Sequence, residues 1–385
     1  MATGLTGHRW DERAQERIEG IVRRLVESGE ETGLQVAVYV DGEPAVDVYA
    51  GTGGRADGAP PRPVGPDTPI HSFSTGKGFT ATLVHVLAER GLIEYEAPVA
   101  RYWPEFGTHG KERATVWHAL THTLGIPQLP ARLTPAELCD WDTMCGVVAG
   151  LEPLWEPGTA GGYHGWTFGW ILGETVRRVT GLTPGAALRE YVSGPLGVAD
   201  ELFFGLPEEA VGRAAPLVEG DWAAWLADLP ESAPFRRFVV PNPGLWTTAE
   251  LANRPDYLRA DLPACGTTTA RAAARLYAAL LGEVDGVRLL PPERTERVAA
   301  VAVEGKDRML LGRYAKGLGY FLGLPAMGGD RSCFGHHGSG GSIAFADRTH
   351  GLSFALTRTR LVGGASDTTA RLLAGEVRSL VPPVH

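Results

Sequence analysis

Lysine is almost missing from this chain. Only Lys77, Lys111, Lys306 and Lys316 stand among 36 basic side chains in 385 residues. A composition so biased supplies arginine wherever charge alone is needed. Arginine cannot give up its proton, whereas a buried lysine can. Cysteine is equally scarce: Cys139, Cys145, Cys265 and Cys333 are scattered, with no CxxC pair for a metal or redox centre. Reduced thiols in a cytoplasmic protein are the expectation. No apolar run is long enough to span a bilayer. The stretch Met1–Leu25 is charged (Arg9, Asp11, Glu12, Arg13) and carries no apolar signal core, which again predicts a cytoplasmic location. There is no basic surplus either. A net charge of −9 and a pI near 5.7 exclude an electrostatic footprint for nucleic acid or anionic membranes. Gly-x-Ser-x-Gly is absent, which argues against an α/β-hydrolase, and no glycine-rich phosphate loop is present. Neither repeats nor low-complexity segments occur.

What remains is ordinary for a soluble globular protein: 44% hydrophobic and 21% charged residues. The length predicts two structural lobes. One place shows chemistry. The run His71-Ser72-Phe73-Ser74-Thr75-Gly76-Lys77-Gly78 leads into an amphipathic pattern, with Phe79, Leu83, Val86 and Leu87 at helical spacing and a stop at Gly91. In that helix Ser74 and Lys77 lie one turn apart on one face. A serine hydroxyl needs an adjacent base to attack a carbonyl. An amine becomes one when desolvated beside the positive helix N-terminus. With eleven serines and four lysines, chance supplies roughly 0.1 Ser-x-x-Lys matches, and one occurs.

Along the chain, Trp10–Ser28 reads as an amphipathic helix with Ile18, Ile21, Val22 and Leu25 on its stripe. Leu34–Val40 and Ala45–Ala50 read as a hairpin turning at Asp41-Gly42. A Gly/Pro-rich loop fills Gly51–Pro69. From Gly76 to Pro263 strand signals are weak and helical patterns recur (Thr115–His122, Thr167–Thr180, Pro184–Val192), with nine of the ten tryptophans. Sheet character returns at Gly341–Ala346 and Leu352–Thr357, around an Asp347–Gly351 turn, and Ala365–Leu380 reads as a closing helix. A lone hairpin is barely stable, so the early and late strands are expected in one antiparallel sheet. This predicts a discontinuous α/β domain (1–75 and 264–385) with an inserted all-α domain (76–263), the active site lying where they meet.

Acyl chemistry on Ser74 also needs a proton shuttle and two oxyanion donors. The glycine-dense loop from Trp155 to Gly165 presents Tyr163, whose phenol relays a proton if a nearby cation depresses its pKa. Phe334-Gly335-His336-His337-Gly338-Ser339 precedes the late strand, and its glycines permit close backbone approach. His118 and His122 have zinc-helix spacing but lack the intervening Glu, so no metal is expected. Cys139 and Cys145 read as buried small apolar groups. The tryptophans from Trp141 to Trp170, with Trp222, Trp225 and Trp246, are candidates for an apolar pocket wall.

These segments, in this order, resemble the serine β-lactamase-like superfamily of Ser-x-x-Lys acyl enzymes. The class C β-lactamase, carboxylesterase and acyltransferase branch is the most similar. The resemblance spans nearly the whole chain and includes Leu120–Ile126 and the Trp-x-Pro-Gly-Thr run at 155–159. It implies that Ser74 is the nucleophile, Lys77 the base or proton relay, and Tyr163 the partner returning a proton to the leaving group. The backbone N–H groups of Ser74 and Ser339 would form the oxyanion hole. His336, His337 and Gly338 would take the place of the family's Lys-Thr-Gly strand and touch substrate, and His122 would be a structural loop residue. Two departures stand out. The family's Tyr-x-Asn is here Tyr163-His164-Gly165, so Gly165 replaces an amide that touches substrate. The strand lysine is replaced by His336, neutral at pH 7 on its reference pKa. Both point to an uncharged ester or amide. The expected activity is a cofactor-free, metal-free esterase. The alternative is a transacylase passing the acyl group to an amine or alcohol. Less favoured are a β-lactamase or D-aminopeptidase and a non-catalytic binder.

Overall fold

The computed structural model describes residues 12–55, 60–364, 368–381 and 383. Helix α1 (Glu12–Glu27) buries the expected stripe of Ile18, Ile21, Val22 and Leu25; its predicted start at Trp10 lies outside the described residues, as does the rest of the charged stretch before Glu12. Strands β1 (Gly33–Val40) and β2 (Glu43–Gly51) form the expected hairpin. Asp41 and Gly42 both have positive φ, 50° and 85°, the turn geometry that matches strand twist.

The remaining elements that position the site are α2 (Gly76–Glu89), α3 (Thr167–Thr180), α4 (Ala270–Leu281), β3 (Val303–Lys306), β4 (Arg313–Lys316), β5 (Phe321–Leu322), β6 (Cys333–His337), β7 (Ile343–Asp347), β8 (Leu352–Arg358) and α5 (Thr368–Leu380). The predicted first residues of α5, 365–367, lie outside the described part. Eight strands form one sheet in the order β2-β1-β8-β7-β6-β5-β4-β3, antiparallel throughout. The early hairpin docks on the last strand, with Val36 opposite Leu356, so both ends of the chain share one sheet as expected. Strands β3 to β5 escaped the sequence reading. They are two to four residues long, and Val-Glu-Gly-Lys shows no usable alternation.

Both faces of β1 are buried, and both are covered. On one face α4 is tied to the sheet: the Ala270 N–H donates to Gln35 Oε1 (3.0 Å) and Ser353 Oγ to the Ala274 carbonyl (2.7 Å). On the other, Arg358 pairs with Glu31, which also accepts from Thr369 Oγ1 of α5 at 2.7 Å.

Between residues 76 and 263 helices dominate, and the strands there, Leu202–Phe203 and Val218–Glu219, have two residues each. Helix α3 has the predicted bounds; Thr115–His122 shortens to Val116–Leu120, and Pro184–Val192 is helical throughout, α-helical over Pro184–Leu188 and π-helical over Arg189–Ser193. Helix α2 corrects the sequence reading. It is buried on all sides from Gly76 to Ala88 rather than amphipathic. Its polar side chains find internal partners: Thr80 donates to the Pro263 carbonyl (2.6 Å), and His85 sits between Tyr95 Oη (2.8 Å) and the Leu318 carbonyl (2.9 Å). Glycine is required at its start, because a Cβ at Gly76 would meet the Cys265 carbonyl at 2.1 Å and one at Gly78 the Tyr277 hydroxyl at 2.0 Å. The helix ends as expected before Gly91, at φ 73°.

Candidate active site

Ser74 lies in a single tight turn, Phe73–Thr75, that feeds α2. Phe73 has φ 44°, the left-handed region an aromatic residue rarely enters. Its carbonyl accepts from the Gly266 N–H (2.9 Å), and the edge of the His71 ring stands on its ring at 4.5 Å. Such local strain persists where the surroundings over-determine it. Here they aim Ser74 at a cavity.

Lys77 Nζ donates to Ser74 Oγ and to the Ala264 carbonyl, both at 2.9 Å. The side chain is fully buried and these partners are uncharged. Desolvation therefore dominates and brings the amine down to about 7, with Cys265 working weakly the other way. At neutral pH a substantial share of Lys77 is an unprotonated amine in contact with a hydroxyl. That arrangement can take a proton from serine.

Tyr163 lies across the same corner, its ring 5.2 Å from Lys77 Nζ and its hydroxyl hydrogen-bonded to Ser74. The expectation of a depressed phenol is not met. Burial pushes it up, well beyond the usual tyrosine range, and the Asp307 charge adds to the push against the Ser74 hydrogen bond. With Lys77 itself poised to lose its charge, no firm cation faces the ring. The phenol is a proton donor at rest.

The end of β6 closes the third side. A Cβ at Gly338 would stand 2.0 Å from the Ser72 carbonyl, so only glycine lets this strand end approach the Ser74 turn. His337, Gly338 and Ser339 border the cavity. His336 does not, against expectation. Neighbouring strand residues face opposite ways, and His336 turns inward. Its ring packs 5.0 Å from Phe321 and 6.0 Å from Tyr163, with Nδ1 2.6 Å from the His337 carbonyl. Burial and the nearby Lys77 hold it neutral.

The cavity measures about 330 Å³. Trp166, Trp222 and Trp225 line it, together with Leu229, Phe235 and Val239. The other candidate tryptophans serve elsewhere: Trp141 donates to Glu174 (2.9 Å), Trp155 to the Thr123 carbonyl (3.2 Å) and Trp246 to the Val240 carbonyl (3.2 Å), while Trp170 is core. Gly165 borders the cavity where the family pattern carries an amide. A Cβ there would meet a Val239 methyl at 2.4 Å, so a hydrocarbon fills that space. His164, beside it, accepts at Nε2 from the Gly125 (3.2 Å) and Ile126 (3.0 Å) N–H groups, which ties the loop to the body.

His118 and His122 have other partners. His118 Nδ1 accepts from the Thr115 N–H (3.0 Å) and His122 Nδ1 from the His164 N–H (3.1 Å). Among the described residues no group of three His, Cys, Asp or Glu is placed to hold a metal ion. Cys139 and Cys145 are half-buried rather than buried, and Cys145 leans on Glu174 (3.6 Å). The sequence reading missed the opposite wall, Met309 to Leu311, and the Asp307–Lys316 pair behind it. The scarcity of lysine was a signal that could have pointed to Lys316 as well as to Lys77.

The sequence profile of the beta-lactamase family matches residues 18–378. The esterase/beta-lactamase LipL of Mycobacterium tuberculosis is 37% identical over 344 residues, covering 86% of this chain and 77% of that protein. The crystal structure of a family VIII carboxylesterase superposes with a TM-score of 0.84 at 30% identity, over 97% of this chain and 99% of that one. A penicillin-binding protein homologue from Caulobacter crescentus gives 0.82 at 32% identity, over 98% and 99%. The large antiparallel sheet with its many helices is thus the serine β-lactamase fold. A match of this extent, around a buried amine bonded to a serine, means that the chain belongs to the beta-lactamase family.

Proposed function

We propose that this protein is a serine acyl-enzyme hydrolase that cleaves uncharged esters or amides, with Ser74 as nucleophile. The observation that carries the reading is the 2.9 Å contact between Ser74 Oγ and an amine poised near neutrality. Lys77 takes the hydroxyl proton as Oγ attacks the carbonyl. The backbone N–H groups of Ser74 and Ser339 hold the oxyanion, each worth ~3 kcal/mol in the transition state. As the C–O bond breaks, the Tyr163 phenol gives its proton to the departing alkoxide and recovers one from the Lys77 ammonium. Water then attacks the acyl-enzyme by the reverse path, and Ser74 leaves reprotonated.

None of the lining residues is an Asp, Glu, Lys or Arg, and His336 is withdrawn and neutral, so the wall holds no permanent positive charge for a substrate carboxylate. This supports a neutral small-molecule ester or amide over a penicillin. The family VIII carboxylesterase among the structural neighbours agrees, and LipL carries both esterase and beta-lactamase in its name. In this reading residues 1–75 and 264–385 form the sheet body and 76–263 the helical insert, and the cavity draws on both. Four free thiols suit a reducing, cytoplasmic compartment. Among the described residues no helix is long and apolar enough to cross a membrane. A second reading, transacylation, draws on the Trp-walled cavity, which offers an amine or alcohol acceptor an apolar seat and limits water.

Incubation with a p-nitrophenyl acyl ester, read as burst and intact mass, tests this. The expected result is one acyl group per chain, lost in Ser74→Ala. No burst and no mass gain across several acyl lengths would sink the reading. A burst followed by amide formation with added amine would favour transfer.

A further inference from the structure

Asp307 stands at the turn leaving β3, almost fully buried, and does not touch the cavity. Its Oδ1 accepts three backbone N–H groups: Tyr163 at 3.1 Å, Met309 at 2.9 Å and Leu310 at 2.9 Å. Its Oδ2 takes the ammonium of Lys316 at 2.7 Å. One carboxylate therefore ties the loop carrying the phenol to the wall formed by Met309, Leu310 and Leu311. A second tie runs alongside, from the Arg308 N–H to the Gly161 carbonyl (2.9 Å).

On its other side the Tyr163 loop is held through His164 and Gly162; the Asp307 tie fixes it toward the Met309–Leu311 wall. The loop contains Gly158, Gly161, Gly162 and Gly165, which offer no side chains to fix it and lose the most backbone freedom on ordering. A buried ion pair adds little stability over a well-packed apolar pair. Asp307 and Lys316 hold a position that an apolar pair cannot, because an apolar side chain accepts no hydrogen bond, whereas one carboxylate oxygen gathers all three N–H groups.

We infer that Asp307, paired with Lys316, is a positioning residue that sets the Tyr163 phenol against Ser74 and fixes the Met309–Leu311 wall in the same register. This rests on the proton role proposed for Tyr163. A phenol that protonates the leaving group matters for an alkyl ester, whose alkoxide leaves badly, and little for a p-nitrophenyl ester, whose phenolate leaves unaided.

The test compares two double variants that both abolish the ion pair. Asp307→Asn with Lys316→Met keeps an acceptor oxygen toward the three N–H groups; Asp307→Ala with Lys316→Met keeps none. On an alkyl ester the Ala pair should lose about 10²-fold in acylation rate, the cost of a misplaced group. The Asn pair should stay within about tenfold of wild type. On the p-nitrophenyl ester the two should lie much closer together, with KM little changed. Equal alkyl-ester rates for the two pairs, or equal losses on both esters, overturn the inference. Tyr163→Phe, assayed alongside, separates the failures. If it cleaves the alkyl ester like wild type, the relay reading falls; if it is inactive while the double variants agree, only the positioning role falls. Should the Ala pair not fold, Asp307→Glu keeps the charge and displaces the acceptor by one methylene. It should lose at least about tenfold on the alkyl ester, and wild-type activity overturns the proposal.

Discussion

Around Lys77 the protein places two neutral oxygens; around Lys316 it places a carboxylate 2.7 Å away. Both side chains are buried, and burial lowers both amines. At Lys316 the Asp307 charge works against that fall, and in return Asp307 stays below the usual carboxylate range. At Lys77 nothing comparable opposes it, and the amine drops to about 7. Lys111 shows a third outcome: its ammonium binds the carbonyls of Thr108 (3.0 Å), Ala149 (3.0 Å) and Leu151 (2.6 Å) and pins two loops. The polar partners, more than depth, set these three buried lysines apart: a hydroxyl and one carbonyl at Lys77, a carboxylate at Lys316, three carbonyls at Lys111.

The contrast breaks first at Lys77. Lys77→Arg keeps the charge and loses the basicity, so acylation should fall by about 10³-fold, within the range a general base contributes. A burst rate near wild type would remove the distinction between the two lysines altogether.

The next test asks whether the base acts alone. Gly338→Ala drives a methyl into the Ser72 carbonyl and pushes the β6 end away from the Ser74 turn while leaving Lys77 in place. A loss of about 10²-fold in acylation is expected if the Ser339 N–H serves the oxyanion. An unaffected rate would confine the catalysis to the Ser74–Lys77 pair.

Proton linkage sharpens the comparison further. In the proposed mechanism the unprotonated amine is the active form, so acylation should rise with pH up to about 7 and level above it, falling about tenfold per unit below. For stability the sign follows from the lowered pKa. Between about 7 and the ordinary value of 10.5 the unfolded chain binds a proton at this site that the folded chain does not. Stability from this group therefore rises with pH across that window, and its burial cost is greatest below 7. Chemical denaturation of wild type and Lys77→Met at several pH values reads that slope. Equal slopes in the two proteins would refute the assignment.

What was legible in the sequence follows the range of each interaction. Ser74 and Lys77 meet within one helical turn, so spacing alone brings them together. The Asp41-Gly42 hairpin is equally local, and turn chemistry announces it. The Asp307–Lys316 pair spans the β3–β4 hairpin, whose short charged strands carry no alternation. Its tie to Tyr163 reaches across 144 positions. Residues 229–240 reach the cavity through a loop and one short π-helical turn, Phe235–Val239, and no α-helical periodicity marks them. His336 was misplaced for a different reason: a motif match gives its register in the strand, and the strand's alternation sends its ring away from the cavity.

The smallest effect is expected where the comparison began, at its second lysine. Lys316→Arg retains a permanent charge opposite Asp307, and a planar fork matches a carboxylate well. The Phe321 ring, 5.5 Å from the ammonium, can also stack beneath a guanidinium. The extra bulk in a buried site should cost ~1–3 kcal/mol of stability. Asp307 nevertheless keeps its anionic form and its three N–H bonds, so acylation should stay within about threefold of wild type. The same substitution would then be severe at Lys77 and mild at Lys316. Comparable losses at both positions, measured on folded protein, would mean that Lys316 also needs a removable proton and that its carboxylate partner does more than hold a charge.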